Sequence, residues 1–478
     1  MSVRAFRARY DAVIVGSGPN GLAAAITLAL AGRSVLVREG ASAIGGGLRS
    51  MALTLPGAVH DVCSAVHPLA IGSPFFRTLP LPEFGLEWVH AGVPLAHPFD
   101  DTPAAVLARD VDETAAGFGT DADAYRALVG PLLSDWPVLA PAILQPLRIP
   151  RHPLVMARFG MSALRAAAPL VRSRFHTPGA RGLLAGLAAH SMLPLGRIPT
   201  MAIALVLAVA GHAEGWPFPR GGAQRLAEAL AAYLRSKGGE IITGAPVASL
   251  AELEPARAVL LDVTPAQLVR IAGDALPSRA RRALLRYRYG PGVCKVDWLI
   301  EGPIPWSDTR CARAGTVHLG GTLDEIVVAE DAPWRGEHAE RPFVLLTQPS
   351  VFDPSRAPNG RQAVWAYCHT PHGSTTDVHA RIEAQVERFA PGFRDRVVAR
   401  HVMTAGELEA HNPNLVGGDV GGGANTLLQL FRRPTSAWHP YRTAIPHVYL
   451  CSASTPPGGG VHGMCGHHAA LAVLRDDG

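Results

Sequence analysis

Short unbroken apolar runs and longer helical repeats divide this chain, and glycine punctuates them. Ala12-Val-Ile-Val15 follows Asp11 and is closed at once by Gly16. A run of that length ending in a turn signal predicts a buried parallel strand. Leu22 to Ala31 is rich in Ala and Leu with no breaker, which predicts a helix stopped by Gly32. Ser34-Val-Leu-Val-Arg38 predicts a second strand, closed by Glu39. Leu226, Leu230 and Leu234 recur every fourth position, so residues 223–236 predict a helix with one apolar face. Glycines end it, a strand follows, and Val259–Val263 reads as a further buried strand. Val293–Ile300 and Phe343–Thr347 predict strands of a second sheet, and residues 377–389 a helix. A last strand from Val448 runs into Gly458-Gly459-Gly460 and then a helix to about Leu474.

The junction of the first strand and helix carries chemistry. It reads Gly16-Ser-Gly18-Pro19-Asn20-Gly21. Gly16 permits the sharp turn, Gly18 lets a pyrophosphate approach the backbone, and Gly21 lets helix and strand pack closely. The helix N-terminus then faces the phosphate charge. Glu39, 18 residues beyond Gly21, is placed to accept from a ribose diol. A second cluster, Gly45-Gly46-Gly47-Leu48-Arg49-Ser50, follows. A long flavin dinucleotide has a use for it; a nicotinamide site does not. Arg49 either pairs with a phosphate or is a solvated surface residue.

Composition narrows the field. At roughly 100–200 residues per domain, 478 residues make two to four domains' worth of chain. With 48% hydrophobic and 17% charged residues, a disordered chain is excluded. A net charge of +5 does not argue for a nucleic-acid partner. Of 44 basic residues only Lys237 and Lys295 are lysines. The six cysteines form no C-x-x-C pair, and no His or carboxylate spacing marks a metal site, so neither zinc nor another metal is expected. Free thiols suit a reducing cytoplasm. No signal-peptide pattern is visible, and the longest apolar run, Met201 to Ala210, predicts a buried helix rather than a membrane span.

Trp136 to Ala213 contains no Asp or Glu. Arg151, Arg158, Arg165 and Arg172 fall every seven residues there and would form one basic stripe on a helix. Such a stripe is a solvated face of a cap helix, a contact with an anionic membrane surface, or a site for another anionic partner. The expectation is a cytoplasmic protein with peripheral membrane contact as an open alternative.

The string from Asp11 to Ser50 resembles the N-terminal signature of glutathione-reductase-like flavoproteins, in the branch of amine oxidases and phytoene desaturases. Pro217 to Val247 is similar to the unit that returns the chain to the flavin domain. Val448 to His468 resembles the element beside the isoalloxazine ring. With Ala58 to Pro68 and Gly417 to Asn425, the likeness is to the pyridine-nucleotide-disulfide-oxidoreductase-domain 2 type of phytoene desaturase relative. This resemblance implies an α/β fold, a Rossmann-type FAD-binding domain interleaved with an α+β substrate-binding domain. The flavin domain would comprise 1–75, 215–275 and 440–478. The substrate domain would comprise 76–214 and 276–439, with a basic helical cap around 136–213. It implies non-covalent FAD held by Gly16, Gly18, Pro19, Asn20, Gly21, Glu39, Gly46, Gly47, Leu48, Arg49, Val247, Gly459, Gly460, Val461 and His462.

A flavin accepts the hydride itself, so the protein has only to place the substrate, exclude water and take a proton. His462 is the first candidate base. His467, His468, His60, His67, His369 and His372 follow. The expected reaction is desaturation or dehydrogenation of an apolar, polyprenoid or lipid-like small molecule, with oxygen or a quinone-type acceptor reoxidising the flavin. Two alternatives stand beside it. One is an amine oxidase or an isomerase/saturase, although residues 450–478 hold no Trp or Tyr for an aromatic cage. The other is a non-catalytic FAD-binding scaffold.

Overall fold

A computed structural model describes residues 10–434 and 438–476. Twelve strands make two sheets. They are β1 (Tyr10–Val15), β2 (Val35–Arg38), β3 (Val93–His97), β4 (Ala105–Leu107), β5 (Glu240–Ile242), β6 (Ala256–Leu261), β7 (Gly292–Ile300), β8 (Ala314–Leu319), β9 (Val344–Thr347), β10 (Gln362–Thr370), β11 (Val397–Met403) and β12 (Val448–Leu450). The first sheet runs β12-β6-β1-β2-β5 with every neighbour parallel. Its central strand β1 is buried at every position but Asp11, because helices cover both faces. The second runs β11-β7-β10-β9-β8-β3-β4 and is antiparallel except for β3 against β8. Its strands come from chain segments that alternate with those of the first sheet.

Eight helices matter to the site. They are α1 (Pro19–Leu30), α2 (Ala122–Ile143), α3 (Pro153–Ala163), α4 (Ala167–Arg174), α5 (Pro178–Ala189), α6 (Thr200–Ala213), α7 (Gln224–Ser236) and α8 (Met464–Asp476). α1 and α8 pack so closely that a Cβ on Gly466 would lie 1.7 Å from the carbonyl oxygen of Asn20. α2 to α6 form a helical layer beside the second sheet around Trp136, Phe175 and Leu205. α6 carries the longest apolar run and is a half-lining, half-core helix. Among the described residues no single helix is long and apolar enough to cross a membrane.

The arginine stripe is not on one helix. α3 and α4 meet at 89°, because the ring of Pro169 would clash with the Arg165 carbonyl in a continuous helix. Arg151 precedes α3 and Arg165 lies in the bend. Arg158 pairs with Asp135 at 2.8 Å, and Arg172 pairs with Asp324.

One wholly buried guanidinium joins the two halves. Arg356 donates to Asp61 at 2.5 Å, to Asp353 at 3.2 Å and to the Pro219 carbonyl at 3.0 Å. Asp61 also accepts from Ser50 Oγ at 2.6 Å and from the Ala223 N–H at 2.7 Å. Burial alone would push the Asp61 carboxyl up, but the Arg356 charge and these hydrogen bonds hold it below its usual range.

Candidate active site

The loop from β1 to α1 has the geometry its glycines demand. Gly16 takes φ +99°, and a Cβ on Gly21 would stand 2.1 Å from the Gly16 carbonyl oxygen. No side chain fits either position. Glu39 leaves the end of β2 and folds over this loop. One carboxylate oxygen accepts from the Ser17 N–H at 2.9 Å and the Ser17 hydroxyl at 2.6 Å; the other accepts from the Ala41 N–H at 2.8 Å.

A cavity of about 790 Å³ opens at the carboxyl ends of the first sheet and reaches the face of the second. Crevices at that end of an open parallel sheet are where such folds bind ligands. Gly16, Gly18, Pro19, Asn20, Glu39, Gly46, Gly47, Arg49 and Val247 line it from one side. Gly459, Gly460 and Val461 line it from the loop before α8. Asn20 keeps a buried side-chain oxygen there that has no hydrogen-bond partner among the described residues. An elongated bare-backbone cradle with an unpartnered polar atom and a carboxylate at the β2 tip suits a flavin dinucleotide. Gly21 is not on the lining, and neither is Leu48, which is fully buried in the flavin-side core. The Arg49 guanidinium donates to the carbonyls of Gly46 at 3.0 Å and His411 at 3.2 Å. It clamps the second glycine cluster.

His462 has another job. Its Nδ1 accepts from the Met464 N–H at 3.0 Å, capping α8, and its side chain is not on the cavity lining. Burial pulls it down to about 4. His467 bonds the Thr27 hydroxyl at 3.0 Å and stacks on Phe75, and His468 faces the Leu144 carbonyl at 3.3 Å. His60 sits between Thr54 and Asp297, His369 on Glu330, and His372 on the Gly290 carbonyl. Of the seven candidate histidines only His67 lines the cavity. Burial pulls its imidazole down to about 4, so it is neutral near pH 7, and its Nε2 has no partner among the described residues.

Several wall residues had no advance signal. Asp262, just beyond β6, accepts from the Gly21 N–H at 2.9 Å. Lys295 is buried on β7, paired with Asp297, with its ammonium 5.5 Å from the centre of the Trp365 ring. Trp365 stacks on Tyr367 at 5.5 Å on β10. An aromatic pair therefore does line the cavity, supplied by the second sheet and not by residues 450–478. His190, at the end of α5, lines the wall beside Trp216. Scarcity was the one clue to Lys295, a lysine among arginines inside a strand. Among the described residues no cluster of metal-ligating side chains occurs.

Comparison with known proteins agrees with this geometry. The profile of the NAD(P)-binding Rossmann-like domain matches residues 14–77. Mouse pyridine nucleotide-disulfide oxidoreductase domain-containing protein 2 is 27% identical, over 98% of this chain and 94% of its own length. The neurosporene-forming phytoene desaturase of Rhodobacter capsulatus is 26% identical over 54% of this chain and 53% of its own. The chain is an FAD-type oxidoreductase. A solved cyclohexylamine oxidase from Brevibacterium oxydans shares the fold of this oxidoreductase. Its TM-score is 0.60 at 16% identity, with 98% of this chain and 99% of that one covered.

Proposed function

We propose that this oxidoreductase dehydrogenates an apolar, lipid-like small molecule. The observation that carries the reading is a single cavity that joins the glycine cradle to a wall of Leu69, Ile203, Val206, Leu207, Leu345 and Leu430. When bound, FAD supplies the two-electron acceptor, at N5 of its ring. Gly16, Gly18, Asn20 and Glu39 would hold its diphosphate and ribose, with Gly459, Gly460 and Val461 beside the ring. The apolar wall excludes water and aligns the C–H to be oxidised. His67, neutral and facing the cavity, takes the place of His462 as the candidate proton acceptor. Lys295 keeps a positive charge on the wall. Oxygen or a quinone is the proposed acceptor for reoxidation.

The stacked Trp365 and Tyr367 favour amine oxidation as the second reading. Against it, the Lys295 ammonium already occupies a position over the Trp365 ring and would repel a second cation. An anaerobic screen separates the readings. Bleaching of the flavin by polyenes or fatty acyl compounds, and not by amines, is expected. Bleaching by amines alone would overturn the proposal, and a flavin that no compound bleaches would favour a non-catalytic role.

A further inference from the structure

The floor of the cavity is one face of the second sheet, and a row of polar side chains crosses it. Thr316 on β8 stands directly opposite Thr347 on β9, and Thr347 directly opposite Trp365 on β10. Direct cross-strand neighbours place their Cβ atoms about 4.5–5.5 Å apart. All three line the cavity, and none is more than 5% exposed. Yet Thr316 Oγ1, Thr347 Oγ1 and Trp365 Nε1 make no hydrogen bond among the described residues. Buried hydroxyl and indole N–H groups are satisfied in native proteins by protein, water or ligand. Three unpartnered polar groups in one row mark a place built for a polar visitor.

His190 stands on the same wall. Its Nε2 lies 2.9 Å from His318 Nε2, so one proton is shared between two imidazoles. Burial drives both rings below their usual range, His190 to about 3. They are therefore uncharged near pH 7. Lys295, the cation over the Trp365 ring, is paired with Asp297. The row thus offers hydrogen bonds without net charge. Trp365 N–H can only donate, and the threonines can donate and accept.

We propose that Thr316, Thr347 and Trp365, with His190 beside them, form a head-group subsite for a neutral oxygen function, a hydroxyl or carbonyl, at the end of an apolar substrate. This deepens the function proposed above and rests on it: the substrate is an oxygenated lipid rather than a bare hydrocarbon. A charged head is disfavoured because the row offers it no free counter-charge: Lys295 is paired with Asp297, and both histidines are uncharged near pH 7.

The test uses the full-length FAD-loaded protein and two probes of matched chain, dodecanol and dodecane, presented in cyclodextrin and followed by calorimetry. Flavin absorbance is measured first, and a chain that takes up no flavin refutes the proposed function before any probe is added. In the loaded protein dodecanol is expected to bind about tenfold or more tightly than dodecane, equivalent to about 1.4 kcal/mol. Thr316→Val with Thr347→Val, which keeps side-chain shape, should erase that preference and leave dodecane binding and flavin content unchanged. Trp365→Phe provides a second route if the double variant folds poorly, and should lower the preference. Equal or tighter dodecane binding, no binding of either probe, or a preference that survives all these substitutions would overturn the subsite and leave ordered water as the occupant of the row.

Discussion

The carboxylate of Asp262 and the backbone N–H of Gly21 are hydrogen-bonded at 2.9 Å, although 241 positions separate them. The contact seats the end of β6 against the first turn of α1, beside the cradle.

Burial pushes the Asp262 carboxyl up to about 7, the Gly21 N–H pulls the other way, and the charge on Glu39 adds to the rise. The unfolded chain releases this proton near pH 4. Between about pH 4 and 7 the folded chain holds more protons, so stability falls as pH rises through that window and levels off above it. Asp262→Asn keeps an acceptor for Gly21 and removes the ionisation. The apo variant should be more stable than the parent at about pH 8, by up to a few kcal/mol, and lose the advantage near pH 4. Flavin affinity of the parent should weaken above about pH 7, where an ionised Asp262 would repel a phosphate, and that of the variant should not. Thermal melts and flavin titrations at both ends of the range check this; parallel curves would contradict it.

Lys295→Met leaves Asp297 buried without its cation. The expected loss is about 3–5 kcal/mol, read by denaturant unfolding. Adding Asp297→Leu should recover most of the stability. Flavin reduction by an accepted substrate should stay slow in both variants, because the positive charge on the wall is missing from both. Full recovery of the rate with the fold would make the pair purely structural.

Gly466→Ala and Gly160→Ala should act in opposite directions. A methyl on Gly466 would overlap the Asn20 carbonyl of α1, whereas a methyl on Gly160 in α3 would meet only the end of the Leu164 side chain, at 4.0 Å. The first should destabilise by about 1–3 kcal/mol or more. The second should stabilise by about 0.5–1 kcal/mol, the ordinary helix preference for Ala. Melting temperatures decide it.

The bend at α3 changes the membrane proposal. Ile149, Leu154 and Met161 are 91%, 80% and 72% exposed, and Arg151 and Arg165 beside them make no ion pair among the described residues. Apolar anchors flanked by free guanidinium groups suit an anionic bilayer surface. Changing these three anchors to Ser should abolish sedimentation with phosphatidylglycerol vesicles. Neutral vesicles should bind neither protein, and undiminished binding of the variant would remove this surface from consideration.

The flavin half was legible in the chain because its constraints are local. Gly16 and Gly21 are needed within one turn, and Glu39 sits one strand away, so spacing alone points to the cradle. His462 misled for the same reason: nearness in sequence to Gly460 did not tell which way its ring turns, and capping α8 claimed it. The substrate half was not legible. Thr316, Thr347 and Trp365 meet only through strand register, and Asp262 reaches Gly21 only once the sheet has formed. The basic stripe failed on Pro169, where backbone sterics overrode a seven-residue repeat.

Arg356 has a consequence for anyone who would take the molecule apart. Its three partners lie at Asp61, between β2 and β3, in the return unit at Pro219 and in its own loop at Asp353. A fragment cut between the sheets would leave the buried Asp61 carboxylate without its guanidinium, and Arg356 with Asp353 as its one remaining carboxylate partner. Chimeras assembled from related enzymes must therefore inherit Asp61, Asp353 and Arg356 as one package, and the two halves, although they have separate sheets, are inherited as a single part.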